Sequence, residues 1–252
     1  MLYLVGIGLC DEKDITVKGL EAVKKADVVY LENYTAVLQV SVDKLEKFYG
    51  KKIIVADRKL VEQEAEKTIL KDAKEKNVIL LVVGDPVAAT THTDLITRAE
   101  GLGIKVEIIH NSSIFTTIGS TGLQLYKFGK TTSMPFPEKN FFPETAYDVL
   151  KTNKKNGLHT LVLFDLRPNE KRFMTINEGL KILLEIEKKR KEKVISENML
   201  VLGCARLGCG SQIIKYGKII DLINFDFGKP MHCIIIPGEM HFTEEDYLKK
   251  FS

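Results

Sequence analysis

Three short stretches carry the residues whose types and spacing could do chemistry. The first is Gly6-Ile7-Gly8-Leu9-Cys10-Asp11, directly after the apolar run Leu2–Val5. Two glycines after a strand let another molecule approach the backbone closely. A dinucleotide fingerprint needs a third glycine where Asp11 stands, and a helix that opens at once on a pyrophosphate. Here Glu12 follows Asp11, and the helix signal waits until Thr16. Acids in that loop repel phosphate, which disfavours NAD and is compatible with a phosphate-free nucleoside ligand. A tight turn without a ligand is the plain alternative for a single G-x-G.

The second stretch is Gly84-Asp85-Pro86-Val87-Ala88-Ala89-Thr90-Thr91-His92. Proline keeps the preceding residue extended, so the Asp85 carboxylate is expected beyond a strand end. Ala88 and Ala89 leave room for a ligand. An Asp-Pro turn leading into a helix near Thr93 is the alternative. The third stretch, His110-Asn111-Ser112-Ser113-Ile114, offers backbone N–H groups and hydroxyls, or simply a helix N-cap. His232 precedes an apolar strand, where a satisfied core histidine is the commoner role. There is no G-x-S-x-G elbow. Nor is there a Cys-x-x-Cys, and the Cys204–Cys209 interval matches no common zinc knuckle, so no metal is expected.

The elements that must position these loops alternate in type. Strands are expected at 2–5, 28–31, 53–55, 78–83, 106–109, 160–164, 199–203 and 233–236. Val78–Val83 is apolar without alternation, as expected for a strand covered by helices on both faces. Thr16 caps a helix whose Val17, Leu20 and Val23 share one face. Thr175 and Glu178 form a capping box ahead of Ile176, Leu180, Leu183 and Leu184. Thr243-Glu244-Glu245-Asp246 is expected to open the last helix in the same way. Strand–helix alternation argues for an α/β protein with a largely parallel sheet, whose ligands sit beyond the carboxyl ends of the strands. Ser, Thr, Gly and Pro cluster between 110 and 143, which places a boundary near 110 and domains at 1–110 and 111–252. Turn signals at Lys215-Tyr216-Gly217-Lys218 suggest antiparallel strands in the second half.

The 252 residues are 44% hydrophobic and 28% charged, enough to bury a substantial core in two halves. No run reaches the roughly 18 apolar residues of a membrane span, and Leu2–Val5 is too short for a secretion signal. A cytoplasmic protein is expected. Cys10, Cys204, Cys209 and Cys233 are too scattered for a disulfide scaffold and are expected as reduced thiols. The net charge of +3 is too mild for a nucleic-acid-binding protein. The basic run Lys188–Lys193 is interrupted by Glu192 and closes a helix, where positive charge complements the dipole.

In order along the chain, these loops resemble those of a known class. Leu4-Val5-Gly6-Ile7-Gly8, Asp14-Ile15-Thr16-Val17-Lys18-Gly19-Leu20 and Val82-Val83-Gly84-Asp85-Pro86 are similar to the tetrapyrrole methylase class of S-adenosylmethionine-dependent methyltransferases. Further motifs resemble its diphthine synthases, closest to the eukaryotic diphthine methyl ester synthases. They include Val28–Thr35, Val55–Arg58, Val61–Ala65, Ala89–His92, Gly122–Gly129 and Cys204–Gly208. The similarity runs from Met1 to about Ile236. It implies two α/β domains of the tetrapyrrole methylase type, a homodimer, and S-adenosyl-L-methionine in the cleft between the halves, leaving as S-adenosyl-L-homocysteine. The implied protein substrate is translation elongation factor 2, on a histidine bearing a 3-amino-3-carboxypropyl group. The implied products are a trimethylammonium and, in the eukaryotic branch, a methyl ester. Carried over by position, the cofactor contacts are Leu9, Asp85, Ala88, Ser113, Ile114, Phe164, Cys204 and His232, with Phe164 and Cys204 acting through their backbones.

Methyl transfer from a sulfonium is an in-line displacement, so alignment of donor and acceptor is the main requirement. No residue is assigned to deprotonating the acceptor amine. Asp165 and Arg167, just past a strand, are candidates for contacting the substrate by position alone. The rival readings are a methyltransferase of the same class acting on a corrinoid or a ribosomal RNA, and a non-catalytic nucleotide-binding partner of the translation machinery.

Overall fold

Val78-Ile79-Leu80-Leu81-Val82 carries no polar side chain on either face, and every one of these residues is buried. In the computed structural model, which describes residues 1–252, this segment is a central strand covered from both sides. The chain divides into two units, Met1–Thr116 and Thr117–Ser252.

The first unit runs β1 (Leu2–Gly6), α1 (Val17–Lys25), β2 (Val28–Glu32), α2 (Val42–Tyr49), β3 (Ile54–Ala56), α3 (Ile69–Ala73), β4 (Val78–Val82), α4 (Thr93–Gly101) and β5 (Val106–Ile109). The strands form one parallel sheet in the order β3-β2-β4-β1-β5. Alternate residues of β4 serve opposite faces, as the period of two requires. Val78, Leu80 and Val82 pack with Ile69, Leu70, Leu95 and Ala99. Ile79 and Leu81 pack with Val23, Leu45 and Tyr49 of α1 and α2. Thr16 caps α1 as expected, its Oγ1 accepting the Gly19 N–H. All loops that follow a strand therefore leave the sheet at one edge.

The second unit follows a short helix, α5 (Ile114–Thr117), that crosses the division. It contains β6 (Thr132–Met134), α6 (Thr145–Lys155), β7 (Thr160–Phe164), β8 (Leu166–Arg167), β9 (Arg172–Phe173), α7 (Ile176–Arg190), β10 (Leu200–Ala205), β11 (Ile213–Lys218), α8 (Ile219–Leu222), β12 (His232–Ile236) and α9 (Phe242–Leu248). The main sheet has the order β11-β10-β12-β7-β6, antiparallel except for β6 with β7. α6 and α7 lay Tyr147, Leu150, Leu180, Leu183 and Ile186 on it. The Thr175–Glu178 capping box is present at the start of α7.

Three expectations are corrected. The antiparallel strands expected in the second half are present, but Lys215–Lys218 lies within strand β11 and not at a turn, because Ile213, Ile214 and Tyr216 favour strand and override the local turn signal. The last helix is capped by His241, not Thr243: the Glu244 carboxylate reaches back to the His241 N–H at 2.7 Å and completes the box. Cys10 and Cys209 are not free thiols, so a reduced state holds for Cys204 and Cys233 alone. No helix is long and apolar enough to cross a membrane.

Candidate functional site

The loops after β1, β4 and β5 meet at Gly84. Gly8 and Gly84 form an antiparallel bridge, with the Gly84 N–H donating to Gly8 O at 2.7 Å. Both glycines have positive φ, +73° and +81°, which a residue with a Cβ adopts only under strain. A Cβ on Gly84 would lie 3.6 Å from Leu9 Cδ2 and 3.9 Å from Ser113 Cα. Three of the carried-over positions, Leu9, Asp85 and Ser113, thus converge on one backbone clasp. Ala88 follows on the same loop, its N–H donating to Asp85 O at 3.3 Å, and Ile114 opens α5 half-buried.

The Asp85 carboxylate is buried and does not project freely beyond β4. It accepts the N–H groups of Val87 at 3.0 Å and Asn111 at 3.1 Å, and His110 Nδ1 lies 2.8 Å away. Burial alone would raise its pKa, but these hydrogen bonds outweigh it and hold the carboxyl below its ordinary range. Asp85 is therefore a tie between the loops after β4 and β5.

Two further ties escape a reading by motif. Asp14 Oδ2 accepts the N–H groups of Cys10 at 2.7 Å, Leu9 at 3.2 Å and Asp11 at 3.4 Å, which curls the first loop around one carboxylate. Asn111 Nδ2 donates to Gly6 O and to Asp14 O, each at 2.9 Å. An Asp close ahead of an N-cap, and an Asn right after a strand, are the signals that could have pointed to them. Glu12, buried in the same loop, pairs with Lys44 at 3.0 Å.

In the second unit the three carried-over side chains are already engaged. Phe164 packs over Gly179 of α7, where a Cβ would lie 2.4 Å from its ring. Cys204 is buried opposite Cys233 in the β10–β12 register, and its thiol is pushed up by hydrogen bonding to Cys233 and by burial. His232 accepts the Ile176 N–H on Nδ1 at 3.4 Å and places Nε2 3.0 Å from Lys229 O. Burial depresses its pKa, so the neutral ring serves as an acceptor at the start of α7. Asp165 Oδ2 accepts the Phe136 N–H at 3.1 Å, and Arg167 pairs with Glu138. Arg206, buried and with φ of +50°, donates to Phe227 O at 2.8 Å and to Lys229 O.

The geometry is that of a backbone-built cradle at the carboxyl edge of a parallel sheet, tied by carboxylates and an amide and without a phosphate-binding helix start. The chain matches the family described as tetrapyrrole (corrin/porphyrin) methylases over residues 1–222. It is 55% identical to the diphthine synthase of Methanocaldococcus jannaschii, across 99% of this chain and 98% of that protein. It is 47% identical to the diphthine methyl ester synthase of Dictyostelium discoideum, across 100% and 98%. These archaeal and eukaryotic similarities do not single out the eukaryotic branch that the motifs suggested. Among solved structures, a candidate diphthine synthase from Entamoeba histolytica superposes with a TM-score of 0.92 at 50% identity, covering 100% of this chain and 98% of that one. A second diphthine synthase superposes with a TM-score of 0.91 at 37% identity, covering 100% and 95%. The chain belongs to the tetrapyrrole methylase family, and within it to the diphthine synthases, which are S-adenosylmethionine-dependent methyltransferases.

Proposed function

We propose that this enzyme methylates the 3-amino-3-carboxypropyl-histidine of translation elongation factor 2 during diphthamide biosynthesis. The amine becomes a trimethylammonium and a carboxyl becomes a methyl ester. The Dictyostelium relative is named for the methyl ester, which supports its formation, whereas the name of the Methanocaldococcus relative does not mention it. S-adenosyl-L-methionine supplies the methyl group as a sulfonium and leaves as S-adenosyl-L-homocysteine.

The observation that carries this reading is the Gly8–Gly84 clasp in a chain similar over its full length to diphthine synthases. The cofactor is a nucleoside without phosphates and carries a cationic sulfonium. A loop containing Asp11, Glu12 and Asp14 fits such a ligand better than it fits a pyrophosphate. In the first unit Leu9, Asp85, Ala88, Ser113 and Ile114 hold the cofactor; for the second, the resemblance proposes Phe164, Cys204 and His232. Asp85, Asn111 and Asp14 keep the loops in place so that no reorganisation is needed on binding. We extend the reading to a cytoplasmic homodimer with domains 1–110 and 111–252, acting on the factor without contacting nucleic acid. A corrinoid or ribosomal RNA acceptor is not favoured, because the full-length relatives are named for diphthine.

The test is mass spectrometry of elongation factor 2 bearing the aminocarboxypropyl-histidine, incubated with the enzyme and S-adenosylmethionine. Successive methyl additions on that histidine, absent with the unmodified factor, are expected. Their maximum number decides whether the ester forms. No addition while the cofactor still binds would overturn the proposal.

A further inference from the structure

A cavity of about 260 Å³ lies in the first unit, lined by residues that include Tyr34, Glu62, Thr91, His92 and Arg98. Tyr34 follows β2, Glu62 follows β3, and Thr91 and His92 follow β4, so the cavity sits at the same carboxyl edge as the Gly84 clasp. Three of its side chains carry buried polar atoms with no hydrogen-bond partner. Arg98 Nε is ion-paired with Asp94 at 2.9 Å, which leaves Tyr34 Oη and His92 Nε2 with no partner of either kind. Their residues are 9% and 2% exposed. An unpaired buried polar group forfeits its hydration without return, and two in one cavity call for a shared explanation. Nearby groups are otherwise engaged: Arg98 binds Glu66 and Val61 O, and the Tyr34 N–H donates to Glu32.

The chemistry on offer can be read from the fixed partners. His92 Nδ1 lies 3.1 Å from Pro86 O. A carbonyl only accepts, so Nδ1 carries the proton and Nε2 of the neutral ring is an acceptor. The Tyr34 hydroxyl can donate. The two rings meet edge to face with centroids 6.4 Å apart, and both line the same cavity. Glu62, Asp94 and Arg98 also line the cavity, with Arg98 paired to Asp94. His92 is tied through Pro86 to the loop that carries Asp85 and Ala88, and within that loop Ala89 is held at φ of +58°. Such strain in a residue with a side chain points to a functional constraint.

We propose that this cavity is the acceptor subsite, binding the amine and carboxylate of the substrate side chain. An amine N–H pairs with His92 Nε2, and a carboxylate oxygen pairs with the Tyr34 hydroxyl. The inference rests on the function proposed above. It also accounts for release, because the trimethylated product has no N–H and loses the bond to His92.

The test compares the wild-type enzyme with Tyr34→Phe and His92→Gln on the modified factor. Tyr34→Phe removes one oxygen and keeps the ring. The expected result is a KM for the factor raised about tenfold, roughly 1.4 kcal/mol, with calorimetric affinity for S-adenosylmethionine unchanged. An unchanged KM with raised thermal stability would overturn the inference, because the two atoms would then be satisfied by water or by each other. A parallel loss of cofactor affinity would also overturn it, by showing a purely structural role. If the wild-type enzyme fails to methylate the factor, the proposed function falls and the subsite is read without turnover. The ¹⁵N resonance of His92 Nε2 is then followed during titration with free aminocarboxypropyl-histidine. A saturable shift that Tyr34→Phe weakens supports the subsite, and no shift at millimolar probe overturns it.

Discussion

The Asp85 carboxylate accepts the backbone N–H of Asn111 at 3.1 Å and so joins the loop after β4 to the loop after β5. The same oxygen faces His110 Nδ1, and the other oxygen holds Val87. Asp85→Ala is expected to weaken S-adenosylmethionine binding at least tenfold by calorimetry, because both loops lose their shared acceptor. Asp85→Asn keeps one acceptor oxygen and is expected to lose less. The folded-state pKa of Asp85 is depressed, so its contribution to stability is present above the unfolded carboxyl value and lost as pH falls below it. Cofactor affinity limited by this group is therefore expected to hold constant through neutral pH and to fall only in acid.

Gly8 and Asp14 show how closely the first loop is built. A Cβ on Gly8 would lie 2.3 Å from Asp14 Cβ, in a conformation with φ of +73°. Gly8→Ala is expected to cost about 2–4 kcal/mol of stability by denaturant unfolding, through both strain and overlap. Asp14→Ala releases the Leu9, Cys10 and Asp11 N–H groups instead. It is expected to reduce cofactor affinity more than it reduces stability. Equal effects of the two substitutions on affinity and stability would show that the loop is only structural.

How much of this could be read in advance depends on the range of the signal. The strands at 28–31 and 78–83 carry continuous apolar runs, those at 106–109 and 160–164 are apolar but for Glu107 and Thr160, and all four lie within a residue of their expected bounds. The Thr16 and Thr175 caps were legible because capping acts over three residues. β6, β8 and β9 are two or three residues long and have no period to detect. The order β3-β2-β4-β1-β5 depends on pairing between distant segments, which no local pattern records. Leu9, Asp85 and Ser113 were found as loop residues, but their meeting at Gly84 was not. Asp14 and Asn111 were missed because their partners are backbone atoms, some of them far along the chain. The Tyr34–His92 cavity was hidden for the same reason, since its two rings are brought together only by β2 and β4 lying side by side.

Glu187 fixes the end of α7 and the segment after it. Its carboxylate accepts the N–H groups of Lys193 and Val194 at 2.8 Å, that of Ile195 at 3.1 Å, and the Tyr147 hydroxyl at 2.8 Å. Burial would raise its pKa, but these donors bring it down to about 2. Glu187→Gln turns one acceptor oxygen into a donor that faces N–H groups. A loss of about 1–3 kcal/mol is expected in denaturant unfolding. Tyr147→Phe removes a single hydrogen bond from the set and is expected to cost about 1 kcal/mol.

Glu244 governs the acid stability of the second unit. Its carboxylate accepts the Gln124 N–H at 2.8 Å, pairs with Lys127 Nζ at 2.5 Å, and meets His159 Nε2 at 3.0 Å. The Gly238 N–H donates to His159 Nδ1, so Nε2 carries the proton and donates to Glu244. Burial alone would raise the Glu244 pKa, yet its donors hold it at about 2. His159 is fully buried, and burial lowers its pKa below the ordinary histidine value. Both depressed values act in the same direction. The unfolded chain binds more protons than the folded one, so stability falls as pH falls. The decline is expected to begin below about pH 6.5 with His159 and to steepen below about pH 4.5 as Glu244 approaches its folded value near 2. Glu244→Gln is expected to cost about 2–4 kcal/mol at neutral pH, because Lys127 loses its counter-ion, and to flatten the steep acid limb. Denaturant midpoints of the two proteins between pH 3 and 8 measure both effects, and a steep limb surviving in Glu244→Gln would assign acid sensitivity to another group.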